Sequence, residues 1–358
     1  MKYRAMGKTG LIVSEFCLGT MQFGKNKIGS LDQKAATGMV KFALDKGINF
    51  VDTADVYSRG ESETLLGNAL KGIREEIVLA TKFRLPMSDN FNRCGATRVN
   101  IMRAIESSLK RLQTDYIDLY QAHSWDSNTP LEETLRTLDD LVRQGKVRYI
   151  GFSNYFSWQA AAAIEMQERL GLEKFVTAQM HYSLVERGLE HEFQSFAEYY
   201  GIGILVWSPL AGGFISGKYE RNKPAPPETR FGDDVVFVPF DMEQGYRVVE
   251  VLKEVAKRHQ ASPARVALAW LLAKPAITSV IIAARNLDHL EDNIKAVELS
   301  LGTEDMKLLD KVSASRVPYP KWIIFQQGVV EDPRMKIFHP ELYSTGEPLY
   351  DLRRKWPG

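Results

Sequence analysis

Asp52 and Tyr57 stand five residues apart in INFVDTADVYSRGESETLLGNAL, residues 48–70, where an apolar run has ended and a helical pattern has not begun. Two further groups close similar runs: Lys82 ends IVLATK and His123 ends YIDLYQAH. Taken singly, each has a plain structural reading: a turn-capping aspartate, a packed ring, a lysine reaching for solvent, a satisfied core histidine. Taken together they make an acid catalyst. A tyrosine of pKa about 10 is a poor proton donor at neutral pH. A lysine cation beside its hydroxyl favours the phenolate and lowers that pKa. An aspartate beside the lysine keeps it charged, and a histidine orients a substrate oxygen or shares its proton. Aspartate and tyrosine then need not touch, because each needs the lysine.

Such a set requires strand ends that meet. Apolar runs recur near 16–19, 48–54, 77–82, 116–123, 147–153, 176–180, 202–208 and 278–283, most of them near-continuous, as in parallel strands covered on both faces. Helical patterns lie between. In 97–112 the apolar residues Val99, Met102, Ile105, Leu109 and Leu112 recur at spacings of three and four. From 130 a capping box is expected, with Thr129 as cap, Pro130 in the first helical position and Glu132 three residues after the cap. Ser262-Pro263 opens another helix in the same style. The alternation predicts one closed (β/α)8 TIM barrel over 1–314, with an open doubly wound sheet as the competitor that periodicity alone does not exclude. In such barrels the chemistry gathers at the C-terminal strand ends, where Asp52, Tyr57, Lys82 and His123 fall. Two regions break the repeat: a long proline-bearing loop at 219–241, and an aromatic, proline-rich extension at 315–358. The extension is expected either to fold back over the barrel mouth or to pack on the barrel side or in a subunit interface.

The bulk properties narrow the class. Of 358 residues, 44% are hydrophobic and 25% charged, and 46 basic side chains nearly balance 45 acidic ones for a formal charge of +1, so neither a nucleic-acid surface nor an acidic partner is indicated. Two cysteines, Cys17 and Cys94, are too few for a disulfide framework or a thiolate metal site, and a cytoplasmic home is the simplest expectation. MKYRAMGKTGLIVSEF has no secretory h-region, and glycines and a proline interrupt the apolar stretch YYGIGILVWSPLAGGFISG, so no membrane span is expected. GTMQFGKN nearly spells a phosphate loop, but Asn26 stands where Ser or Thr must hold magnesium. No Gly-x-Gly-x-x-Gly follows a strand either, so any nicotinamide cofactor is bound without a Rossmann unit.

DTADVYSRGESETLLGNAL, LATKF, RLQTDYIDLYQAHSWD, GFSNY, VWSPLAGGFISGKY and SPARVALAWLL, in this order, resemble the aldo-keto reductases. The likeness is nearest to the branch of bacterial aldo-keto reductases and potassium-channel β subunits. It implies a (β/α)8 barrel, NADPH (NADP+) lying across the C-terminal mouth, and a small carbonyl substrate: an aldehyde, a ketone or a keto-sugar. By position, Tyr57 matches the proton donor, Lys82 the residue that lowers its pKa, Asp52 the lysine's partner and His123 the residue that orients substrate. Histidine there implies reduction of C=O rather than of conjugated C=C bonds. Ser153, Asn154 and Gln179 match the groups that hold the nicotinamide carboxamide, and Trp207 the aromatic stacked on its ring. Thr20, Met21, Ser208, Pro209, Leu210 and Gly212 fall along the cofactor, with Lys218 and Arg230 adding charge for its pyrophosphate. Ala283, Arg285, His289, Asp292 and Asn293 fall at its adenosine end, where Asn286 is a helix cap and Arg285 is suited to a 2′-phosphate. Three positions depart from the family's pattern: Ala283 for glycine, His289 for glutamine, Asp292 for glutamate. None is among the four catalytic positions. Phe23, Tyr57, His123 and Trp125 are expected to wall the substrate pocket.

Two rivals stay open at this point. Lys82 could form a Schiff base in a carbon–carbon lyase, and the chain could be a cofactor-binding regulatory subunit that senses redox state. Borohydride trapping addresses the first; co-purification with a membrane partner addresses the second.

Overall fold

The structure is a computed structural model that describes residues 1–25, 30–226, 229, 231 and 238–324. Two short strands, β1 (Tyr3–Ala5) and β2 (Ile12–Ser14), pair antiparallel. Eight more follow: β3 (Phe16–Gly19), β4 (Phe50–Asp52), β5 (Val78–Phe83), β6 (Ile117–Ala122), β7 (Val147–Ser153), β8 (Phe175–His181), β9 (Gly203–Trp207) and β10 (Ile277–Ile282). They are parallel and in sequence order, and β10 returns to pair with β3 through Val280 opposite Phe16, which closes the barrel and excludes the open sheet.

Helices cover the barrel: α1 (Gln33–Asp45), α2 (Glu61–Ala69), α3 (Arg98–Leu112), α4 (Leu131–Arg143), α5 (Ser157–Leu170), α6 (Phe193–Tyr200), α7 (Met242–Arg258), α8 (Pro263–Leu272), α9 (Leu287–Ile294) and α10 (Thr303–Val312). Caps fix their starts. Thr97 accepts from Asn100 N, Ser262 from Arg265 N with Pro263 in the first turn, and Asn286 from His289 N. The capping box expected at Thr129 does not form. The Thr129 hydroxyl donates to Asp126 Oδ2 at 2.6 Å, Pro130 takes the cap position, and Glu132 accepts from Arg136 instead. A nearby carboxylate is the stronger acceptor and wins the hydroxyl. In α3 the buried face runs through Ile101, Ile105, Leu109 and Leu112 with Met102 half-buried against it, as expected from Ile105 onward, while Val99 is 49% exposed and Ile101 takes its place in the first turn.

Because strand side chains alternate, the barrel strands sort into two populations. Phe16, Leu18, Val51, Leu79, Phe83, Tyr120, Phe152 and Val280 face the helices in the large core. Cys17, Phe50, Ala80, Leu119, Leu205 and Ile281 face inward and pack with Met6 and Val13 of the hairpin. Pattern reading missed that hairpin, whose strands are only three residues long. It stoppers the N-terminal end: Lys8 N bonds Gly201 O, and a Cβ on Gly7, at φ +59°, would lie 2.7 Å from the carbonyls of Gly201 and Val176. The opposite end is left for function.

The barrel unit comprises Met1–Ser313. From Ala314 the chain forms a second unit, described only to residue 324 and ending in a short helix at Lys321–Ile324. The remainder of the expected extension, like Asn26 and Arg230, lies outside the described residues.

Candidate active site

Period two carries each inner-facing strand from apolar base to polar tip. Two residues beyond Phe50 comes Asp52, beyond Ala80 comes Lys82, beyond Leu119 comes Gln121, and beyond Leu205 comes Trp207. Strands in register then bring these tips to one level, with Asp52 opposite Ala80 and Lys82 opposite Gln121.

Lys82 is the hub. Its buried Nζ donates to Asp52 Oδ2 at 2.5 Å, to Thr53 O at 2.8 Å and to Tyr57 Oη at 3.3 Å, which uses all three protons of the ammonium. Asp52 Oδ1 accepts from Gln179 Nε2 at 2.8 Å and Gln121 Nε2 at 3.3 Å. A buried ion pair is tolerated when its remaining sites are hydrogen-bonded, as they are here. Asp52 and Tyr57 are thus joined through the lysine. The tyrosine reaches it because β4 gives way to a tight turn over Tyr57–Gly60, with Ser58 and Arg59 at φ +48° and +54° and Ser58 Oγ tied to Phe23 O. Such positive-φ residues are uncommon outside glycine and concentrate at functional sites. The Tyr57 ring lies 5.0 Å from Lys82 Nζ and meets the His123 ring edge-on at 5.9 Å.

Burial sets the protonation states. It pushes the Tyr57 hydroxyl above its ordinary 10.0, and Lys82 offsets only part of that rise. The lysine therefore limits the rise instead of producing the net lowering the sequence suggested, because desolvation of a phenolate outweighs one neighbouring cation. For Lys82, burial presses the pKa down, but Asp52 and Tyr57 more than compensate, so it stays charged. Burial, aided by Lys82 and Arg84, lowers His123 to about 3, leaving a neutral imidazole whose Nδ1 has no hydrogen-bond partner among the described residues. A neutral ring suits orienting an oxygen better than storing a proton.

Behind this set lies Asp55, buried, with Oδ1 unpartnered among the described residues. Burial and then Glu63 push its pKa from 3.8 to about 8, against the lowering pull of Arg111, the Val56 amide and Lys82. The folded state holds a proton that the unfolded chain releases, so this group's contribution to stability is lost as pH rises from 3.8 through about 8. His123 acts in the opposite sense, its contribution vanishing as pH falls from 6.5 towards about 3. Asp55→Asn removes the alkaline loss. We expect its melting midpoint to exceed that of the wild type by at least ~2 °C at pH about 8 and the two to converge near pH about 4, read by calorimetry. A constant difference across that range would refute the assignment.

On β7 to β9, Ser153 Oγ donates to Gln179 O at 2.8 Å, and Asn154 Nδ2 donates to Ser153 Oγ at 2.9 Å and His123 O at 3.1 Å. Asn154, at φ +56°, also receives the Trp207 indole N–H at 3.0 Å. His181, opposite Trp207 in the register, stacks on it at 4.6 Å and 23°. Next come Ser208, Ala211, Gly212 and Gly213, all with positive φ, then exposed Lys218; across the rim, Arg285 precedes Asn286, the cap of α9.

Several expected site residues are placed otherwise. Thr20 is fully buried: its N–H and hydroxyl both bond Asp52 O, and its carbonyl accepts from Ser62 Oγ. It pins the β4 end and offers no polar group to a ligand. Phe23 is 2% exposed within the core, so it backs the pocket instead of lining it. Asp292 accepts from Ser262 Oγ and pairs with Arg265, clamping α8 to α9, and Asn293 is buried. Met21, Leu210, Ala283 and Trp125 are half-buried and His289 is exposed. Sequence reading missed Gln121, His181 and Arg84. The signal was the period-two step onward from Leu119, Gln179 and Lys82.

The aldo/keto reductase family profile matches residues 15–314. The chain is 40% identical over 324 residues to "Uncharacterized oxidoreductase YrpG" of Bacillus subtilis, covering 87% of this chain and 96% of that protein. It is 30% identical to "Versiconal hemiacetal acetate reductase" of Aspergillus parasiticus, covering 89% of this chain and 99% of the relative. It is 32% identical to "Protein tas" of Escherichia coli, covering 87% and 97% respectively.

Proposed function

The chain belongs to the aldo/keto reductase family, and from that premise we propose that it reduces an aldehyde or ketone to the alcohol with NADPH, Tyr57 giving the proton. The observation that supports this reading is the Lys82 ammonium bonded at once to Asp52 and to the Tyr57 hydroxyl, beside a neutral, half-buried His123. The mouth suits a nicotinamide. Ser153, Asn154 and Gln179 offer hydroxyl and amide groups on adjoining strand ends, and the Trp207 ring stands beside them, held by its bond to Asn154. When bound, the dihydronicotinamide supplies hydride to the carbonyl carbon. His123 and Tyr57 orient the carbonyl oxygen, the Tyr57 hydroxyl protonates it as negative charge develops, and Lys82 stabilises the phenolate left behind. Cofactor consumption with a panel of aldehydes and ketones, with the alcohol identified as product, tests the reading. Consumption without alcohol, or none with any carbonyl, counts against it. Among the described residues no helix is long and apolar enough to cross a membrane; we assign the enzyme to the cytoplasm on its cysteine usage.

Preference for NADPH over NADH rests on Arg285. A guanidinium grips a phosphate bidentately, and the N-terminus of α9 adds its dipole. A charge-assisted bond of this kind is worth about 1.5–3 kcal/mol, or roughly ten- to 150-fold in affinity. Arg285→Ala is expected to weaken NADPH by that factor and leave NADH near wild type, read as dissociation constants. Equal losses for both would place Arg285 on the shared part of the molecule or in the fold.

A further inference from the structure

Arg84 follows β5, two residues beyond Lys82, and stands at φ +106°, a conformation that residues with a Cβ rarely adopt. The surroundings hold it there: its carbonyl accepts from Gly95 N at 2.8 Å, and the carbonyl before it, Phe83 O, accepts from His123 N at 3.0 Å. Local strain of this kind marks functional sites when neighbours over-determine it. The side chain is the more informative part. Its Nε is buried without a hydrogen-bond partner, and among the described residues the guanidinium makes neither a hydrogen bond nor an ion pair. A carboxylate does lie close by, but Asp126 is already held by Thr129 Oγ1 at 2.6 Å, Ala96 N at 2.7 Å and Asn128 N at 3.0 Å. Behind burial and nearer partners, the Arg84 charge adds a smaller effect on His123, Asp126 and Tyr155, all on the β5–β6 side of the mouth. Trp125 stands there too, edge-on to Tyr155 at 5.1 Å.

A half-buried guanidinium whose Nε has no hydrogen-bond partner among the described residues, and which Asp126 reaches only through space, gains from a ligand that bonds it directly. The cofactor's phosphates are poor candidates. In the barrel order β10-β3-β4-β5-β6-β7-β8-β9, the β5–β6 side is diametrically opposite β9–β10, where Lys218 and Arg285 stand. The substrate is what remains. We propose that Arg84 is a specificity-determining residue that binds a carboxylate on the substrate, so that the preferred substrates are oxo acids: aldehydes or ketones that also carry a carboxylate. This rests on the carbonyl-reduction reading and names the substrate class of that same site.

The test pairs para-formylbenzoate with its methyl ester, which differ in charge and share the aldehyde. In the wild type kcat/KM favours the acid. In Arg84→Gln the acid's kcat/KM falls about tenfold or more, mainly through KM, while the ester changes less than about twofold; Arg84→Lys keeps part of the preference. Binding of benzoate against methyl benzoate, followed by tryptophan fluorescence without cofactor, reads the same contact without turnover. Equal losses for acid and ester in both variants, no acid preference in the wild type, or benzoate bound by Arg84→Gln as tightly as by wild type would each overturn the proposal. If the ester is reduced normally and only the acid preference is missing, carbonyl reduction survives and the Arg84 role fails. If benzoate binding depends on Arg84 but neither aldehyde is reduced, the anion site survives and the reductase reading fails.

Discussion

Tyr57→Phe turns over carbonyl substrates at least about 10²-fold more slowly than the wild type, with cofactor affinity nearly unchanged. The substitution keeps the ring that meets His123 at 5.9 Å and lies 5.0 Å from Lys82 Nζ, and removes only the proton and its oxygen. The lost bond to Lys82 is the longest of that ammonium's three, at 3.3 Å, so folding should hardly change. The loss therefore falls on kcat. Burial holds the hydroxyl above its ordinary 10.0, so it stays protonated through the neutral range and is thermodynamically ready to protonate an alkoxide. The reduction rate should accordingly stay level across neutral pH and decline only as pH approaches that raised value. Wild-type-like turnover in the phenylalanine variant would remove Tyr57 from the mechanism.

Lys82→Met is expected to lower both turnover and stability, and the two losses separate. When Tyr57 gives up its proton, Lys82 faces a new phenolate. Opposite unit charges about 4 Å apart interact by about 4 kcal/mol at an effective dielectric near 20, so kcat should fall on the order of 10²- to 10³-fold. The same change strands Asp52, 2% exposed, with only the amides of Gln121 and Gln179 on its carboxylate. Breaking a buried pair from one side costs about 3–5 kcal/mol. Adding Asp52→Asn removes the stranded charge, so the double variant should regain much of the stability while remaining inactive. Chemical denaturation and steady-state kinetics on the three proteins check both halves. A double variant no more stable than Lys82→Met would mean the stability loss comes from packing. The pH sense is set as well. The folded pKa of Lys82 is raised, so its contribution is whole below the unfolded value and is lost only as pH rises through the folded one.

Much of this molecule is set by local pattern. Each barrel strand is an apolar run bounded by turn residues, and burial on both faces of a parallel strand forces that composition wherever it occurs. Ser262 and Asn286 cap their helices because the capping bond needs only a side-chain oxygen and an amide three residues on. Asp52, Lys82 and His123 were legible for a related reason: each is the polar end of an apolar run, and the end of a strand is a sequence feature. What required the fold was everything set by long-range neighbours. Thr129 should cap α4 by pattern, yet it bonds Asp126, because hydrogen bonds go to the best acceptor in space. The Tyr57 hydroxyl sits above its ordinary pKa because desolvation depends on the depth of the whole mouth, which no spacing records. Phe23 and Thr20 read as ligand-facing by position, and the tertiary core took both. Arg84 is the sharpest case. In one dimension it shows only as the period-two step beyond Lys82, and its meaning comes from the donors that hold Asp126 and from a guanidinium with no hydrogen-bond or ion-pair partner among the described residues.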